Sequence, residues 1–299
     1  MKRVAGLALA AAGAAGAGAF VHTRVRETAE RHPARGRFAA GLHYLEAGAG
    51  PPLVLLHGLG AMLEDFELSG VFGLASKKFR VLAFDRPGYG HSEVSMLDPH
   101  AQARLLQQAF EELGISRPIL VGHSAGTQVA LAYALQFPRE LRGLVLVSGY
   151  YYPTVRPDVL LLAPPAIPLV GALLRHTVSP IVGRLLWPAW LKLLFSPLPV
   201  PEYLPPWRAL APGQLRSVGV ESAMLLPVSL KMRRDYWKVR TPTVIVAGAK
   251  DRYVSSAAHS KRLHGELRFS TYLEIPEAGH MVHHAAPDAV MRAIYAAGV

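Results

Sequence analysis

The feature that most restricts how this chain can fold is a series of short runs that are apolar throughout or after their first residue. They are Pro52-Leu53-Val54-Leu55-Leu56, Arg80-Val81-Leu82-Ala83-Phe84, Ile119-Leu120-Val121, Leu144-Val145-Leu146-Val147 and Thr243-Val244-Ile245-Val246-Ala247. A strand wetted on one face alternates apolar and polar residues. A run without that alternation has to be covered on both faces. Between the runs lie helical stretches. Asp98 and Pro99 provide an N-cap and a first-turn proline for a helix reaching about Leu113, ahead of Gly114. Ala125 to Phe137 reads as a helix that stops before Pro138, and Ala257 to His264 and Pro287 to Tyr295 complete the set. Leu42 to Glu46 and Thr271 to Ile275 add strands. Strands alternating with helices predict an α/β fold with a mostly parallel, doubly wound sheet.

Composition agrees. Of 299 residues, 51% are hydrophobic, enough for a sizeable core and too many for a disordered chain. The absence of cysteine excludes a disulfide scaffold, a thiolate metal site and a cysteine nucleophile. The net charge of +11 is unevenly placed. Residues 1–40 carry 7 basic and 2 acidic side chains, and residues 153–240 carry 11 and 4, while the remainder is nearly balanced. No basic stripe with aromatic or groove-reading machinery accompanies it, so no nucleic-acid partner is expected. Basic segments that are also apolar suit an anionic membrane surface.

Residues 4–21 carry no charge and follow Lys2 and Arg3. As a helix they would span about 27 Å, close to the thickness of a bilayer core. Residues 1–21 are therefore expected to form a single N-terminal membrane anchor. The alternative is a signal segment cleaved after Ala17-Gly18-Ala19, which would leave a secreted or periplasmic protein. Residues 22–40 read as a polar linker, and residues 41–152 with 241–299 as the core. Residues 153–240 hold 14 of the 24 prolines, together with Trp187, Trp190 and Phe195, and read as a helical cap inserted between the sixth and seventh strands.

The chemistry gathers where strands end. Gly122-His123-Ser124-Ala125-Gly126 joins a buried strand to a helix. Small residues at both ends allow a tight turn that projects the Ser124 hydroxyl at a helix N-terminus. A serine needs a base, and the base needs an orienting group. Asp251 follows one strand and His280 lies in the loop after the next, in the order Ser, Asp, His. The turn His57-Gly58-Leu59-Gly60 can aim a backbone N–H at the substrate oxygen. Leu59 is assigned that role with Ala125, and Gly60 is the second choice. His57 and His123 are read as structural.

These motifs, with Asp85-Arg86-Pro87-Gly88-Tyr89-Gly90-His91-Ser92, resemble the α/β-hydrolase fold superfamily over roughly residues 40–299. The resemblance implies a serine-nucleophile hydrolase of the esterase and lipase branch, with a lid where residues 153–240 fall. Haloalkane dehalogenases and epoxide hydrolases of this superfamily use an aspartate nucleophile, and Ser124 argues against both. Asp85 and Arg86 match a motif that is generally structural. The expected activity is cleavage of an ester of a lipophilic small molecule through an acyl-enzyme, with no cofactor and no metal. C–C bond hydrolysis, acyl transfer, perhydrolysis and a non-enzymatic receptor role are the alternatives on the same fold.

Overall fold

The computed structural model describes residues 2–298. Its centre is an eight-stranded sheet of β1 (Arg37–Ala39), β2 (Leu42–Ala47), β3 (Pro52–Leu56), β4 (Arg80–Phe84), β5 (Ile119–His123), β6 (Gly143–Val147), β7 (Thr243–Gly248) and β8 (Ser270–Ile275). The spatial order is β1-β2-β4-β3-β5-β6-β7-β8. β1 and β2 pair antiparallel, as do β2 and β4, and every later pairing is parallel.

The apolar runs do what their lack of alternation requires. Val54, Leu56, Leu120, Leu144, Leu146 and Ile245 point into one core, shared with the helices Pro99–Glu112 and Gly126–Gln136. Leu53, Leu55, Val121, Val145, Val147, Val244 and Val246 point into the other, closed by the helix Pro287–Ala297. Every residue of β5, β6 and β7 is buried. Asp98 caps its helix as expected, with its carboxylate accepting from the N–H groups of His100 at 2.9 Å and Ala101 at 3.1 Å.

Residues between β6 and β7 form the cap. Short helices at Val159–Leu162 and Val170–His176 are followed by longer ones at Val178–Phe195 and Pro212–Met232. Pro188 and Pro227 lie inside the two long helices. Past each proline the helix is anchored by buried side chains, Leu191 and Phe195 in one and Ser229 and Met232 in the other, which offsets the missing N–H.

The N-terminal region differs from the linker expectation. One helix runs from Lys2 to Arg31, so residues 22–31 are helical, and residues 37–39 are strand β1. The physical reason is tertiary and local together. Arg24–Glu27 and Arg26–Glu30 are helix-spaced ion pairs. Val21 is buried and Phe20 meets Trp207 of the cap edge-on, with ring centres 5.7 Å apart. Among the described residues, the helix long and apolar enough to cross a bilayer by composition is Val178–Phe195, in the cap rather than at the N-terminus. One face of that helix lines the cavity described below.

Candidate active site

The turn after β5 is built as its glycines demand. Ser124 sits at φ +50°, a conformation that side chains rarely adopt. A Cβ on Gly122 would lie 2.7 Å from the Gly126 carbonyl oxygen, and one on Gly126 would lie 2.5 Å from that of Leu56. Only glycine fits either place. The turn is pinned by the Ser124 N–H donating to Val147 O at 2.9 Å.

Three residues from distant parts of the sequence meet at this turn. Ser124 Oγ lies 2.9 Å from His280 Nε2, and His280 Nδ1 lies 2.8 Å from Asp251 Oδ2. Ser124 follows β5, Asp251 follows β7 and His280 follows β8, so all sit at the C-terminal edge of the sheet. Asp251 Oδ1 accepts the N–H groups of Tyr253 and Val254, each at 2.8 Å, which leaves Oδ2 for the imidazole. The Tyr253 ring stands edge-on to His280, with centres 5.0 Å apart. Such a chain can move a proton from the hydroxyl to the imidazole while the carboxylate holds the ring's tautomer and orientation.

Ser124 opens into a cavity of about 350 Å³. The core contributes Leu59, Ser124, His280 and Met281. The cap contributes an apolar wall that includes Leu160, Leu161, Val182, Leu186, Trp187, Trp190 and Leu210. Leu59 follows β3 and lines the cavity, and Ala125 is the N-cap of the helix after Ser124. Among the described residues, neither of their N–H groups donates to a turn or loop carbonyl.

The remaining histidines have other duties. His57 donates Nδ1–H to Gly58 O at 2.8 Å and accepts the Arg86 N–H on Nε2 at 3.0 Å. Burial, and then the charge of Arg86, push its pKa down to about 4. His123 faces the His280 carbonyl at 3.3 Å. His283 and His284 turn their Nε2 atoms to Asp65, at 2.9 and 2.8 Å, and away from Ser124. Burial tends to raise the Asp65 carboxyl, but His283 and His284 outweigh it and hold it well below the usual carboxylate range. Tyr203 of the cap donates to the same carboxylate at 2.8 Å. Asp85 accepts from the N–H groups of Leu63 at 2.9 Å and His91 at 3.0 Å, a structural role.

Sequence reasoning missed Asp65 and Glu221. Neither lies in a motif, and their partners are 218 and 135 residues away. Glu221 is the lone charged side chain between Arg216 and Lys231 in the cap, and that isolation is the one signal that could have marked it.

Comparison with known proteins places the chain in a family. The chain is 26% identical over 267 residues to haloalkane dehalogenase 2 of Mycobacterium tuberculosis, covering 85% of this chain and 90% of that protein. A shorter stretch of 114 residues is 37% identical to a 2-hydroxy-6-oxononadienedioate/2-hydroxy-6-oxononatrienedioate hydrolase of Paraburkholderia phymatum. It covers 36% of this chain and 40% of that enzyme. Among solved structures, a membrane phospholipase A described as a bacterial virulence factor superposes with a TM-score of 0.65 at 23% identity. It covers 99% of this chain and 98% of that one. The sequence model of the alpha/beta hydrolase family matches residues 53–293. With four-fifths of its length inside that match, and with the sheet order and cap described above, the chain belongs to the alpha/beta hydrolase family.

Proposed function

We propose that this hydrolase is a serine esterase acting on a lipophilic ester through an acyl-enzyme intermediate. The observation that carries the reading is the hydrogen-bonded run Ser124–His280–Asp251 opening into an apolar cavity. Ser124 Oγ attacks the acyl carbon and its proton passes to His280 Nε2. The oxyanion so formed accepts the N–H groups of Leu59 and Ala125. Collapse breaks the ester bond, and His280 returns the proton to the departing alcohol. A water then loses its proton to His280, attacks the acyl carbon and releases the acid and Ser124. No step calls on a metal or cofactor.

The cavity wall supports an apolar acyl or alcohol part, because it offers few polar groups beyond the reacting ones. The same wall disfavours the doubly charged substrate that the name of the Paraburkholderia enzyme describes. Serine at position 124 disfavours halide displacement by an aspartate.

Membrane association is part of the proposal. Leu160, Leu169, Leu173 and Leu185 of the cap are exposed, and the helix Lys2–Arg31 packs on the same cap. An amphipathic surface of this kind, set among basic residues, suits the headgroup region of an anionic bilayer. The similarity in shape to a membrane phospholipase A is compatible with it.

The test is labelling of the purified chain by a fluorophosphonate, followed by turnover of p-nitrophenyl esters of graded chain length. Labelling at Ser124 with turnover that improves from acetate to longer acyl chains is expected. Absence of labelling sinks the reading, and labelling without turnover of any ester points to the receptor alternative.

A further inference from the structure

A buried ion pair joins the cap to the turn that follows β3. Arg86 Nη1 and Nη2 donate to Glu221 Oε1 and Oε2, at 2.5 and 2.9 Å, and the Tyr89 hydroxyl donates to Oε2 at 2.6 Å. Glu221 belongs to the cap helix Pro212–Met232. The same guanidinium donates from Nε to His57 O at 2.8 Å and from Nη2 to Gly58 O at 3.1 Å. Arg86 is 1% exposed and Glu221 5%, so neither can find water in place of the other.

We propose that Glu221 is a positioning residue for the oxyanion turn, acting through Arg86 on the peptide between Gly58 and Leu59. The geometry of the peptide bond carries the argument. In a trans peptide the C=O and the N–H lie in one plane and point in opposite directions. The carbonyl of this peptide is Gly58 O, which Arg86 and the His57 ring both grip. Its N–H is that of Leu59, a residue that lines the cavity beside Ser124. Holding the carbonyl toward Arg86 aims the N–H the opposite way, toward the substrate side. Glu221 in turn fixes the guanidinium bidentately, the arrangement that most restricts its rotation. The cap is then a part of the catalytic scaffold as well as a roof.

Two other cap contacts, Tyr203 with Asp65 and Arg208 with Glu64, fasten the cap farther along the same segment. Neither reaches the Gly58–Leu59 peptide. The electrostatics agree with a permanent pair. Burial tends to raise the Glu221 carboxyl, but the Arg86 charge outweighs it and holds the group ionised, below the ordinary range.

The inference rests on the serine-esterase reading, and its test separates the two. In the full-length chain, Glu221→Ala should lower kcat on p-nitrophenyl octanoate by about 10- to 100-fold with KM within threefold, as loss of a group acting mainly on the transition state requires. Fluorophosphonate labelling should slow in parallel, because the phosphonyl oxygen uses the same donors. Glu221→Gln, which keeps an acceptor without the charge, should fall between. The double substitution Arg86→Met with Glu221→Met replaces the pair by apolar groups and should recover part of the thermal stability lost in Glu221→Ala without recovering kcat. A folded Glu221→Ala with unchanged kcat overturns the proposal, and so does a double variant that regains kcat. If Glu221→Ala does not fold, Glu221→Gln and the double variant decide. If the parent chain itself neither labels nor turns over, the esterase reading has failed. Amide exchange over residues 57–66 then decides this one. Faster exchange there in Glu221→Gln than elsewhere in the core supports it, and unchanged exchange refutes it.

Discussion

At the scale of the residue, function is proposed to rest on three side chains whose hydrogen bonds are complete without substrate. Ser124→Ala should abolish fluorophosphonate labelling and lower kcat by about 10⁴-fold or more, with the melting temperature within a few degrees of the parent. His280→Ala should be comparably severe. Asp251→Asn should lose somewhat less, since its Oδ1 contacts to the Tyr253 and Val254 amides keep the loop in place. Active Ser124→Ala protein would remove the nucleophile assignment. His57 and His259 make a prediction of a different kind. His259 accepts the N–H groups of Tyr151 and Tyr152 on Nδ1, at 3.0 and 3.2 Å, and faces Thr154 Oγ1 with Nε2. Both imidazoles therefore serve as acceptors and are held neutral. Burial, and then the charge of Arg156, bring His259 down to about 4, as burial and Arg86 do for His57. A folded pKa below the unfolded value of about 6.5 adds stability that is complete above pH 6.5 and is lost as pH falls through 4. Each ring contributes on the order of 3 kcal/mol. Urea midpoints measured from pH 7 to pH 4 should fall steeply, and less steeply in His259→Gln. A flat profile would contradict the assigned tautomers.

Elements come next. The turn between β5 and the helix Gly126–Gln136 packs so closely that two glycines act as contact surfaces. Gly126→Ala would press a methyl against the carbonyls of Leu56 and His57, and those belong to the strand and turn that lead to Leu59, the proposed oxyanion donor. Overpacking against backbone costs about 1–3 kcal/mol. Urea denaturation of Gly126→Ala should read the upper end of that range, with a larger loss in kcat than the stability change alone explains. A variant as stable and as active as the parent would mean that the turn relaxes. The sheet itself was legible in the sequence, because a parallel strand buried on both faces writes its state into four or five consecutive residues. β1 was not legible. Three residues of which only Ala39 is buried carry no periodic signal, and they are a strand because β2 offers them an edge.

For the whole molecule, charge and exposed apolar surface coincide on the cap and the N-terminal helix. Full-length protein should float with vesicles containing anionic lipid, and raising the salt should weaken that binding through screening. A chain lacking residues 1–22 should still bind, more weakly, through the cap. Truncated protein that stays with the soluble fraction at low salt would leave the N-terminal helix as the only membrane link. The truncation also removes Phe20 and Val21 from their contacts with the folded body, so a small fall in melting temperature is expected with it.

By itself the sequence determined the alternating architecture, the place of the cap and the candidates Ser124, Asp251 and His280. Each of these follows from local rules. An unbroken apolar run needs two covered faces, a tight turn needs glycine, and a catalytic carboxylate or imidazole on this fold follows a strand. Tertiary structure alone decided how those parts are held. Asp65 gathers His283, His284 and Tyr203, and Glu221 clamps Arg86 onto the turn after β3. Neither pairing can be read from the neighbouring residues, even where a lone carboxylate such as Glu221 stands out. A buried charge is tolerable only beside its partner, and in this fold the partner comes from the far end of a chain that must first build the sheet between them.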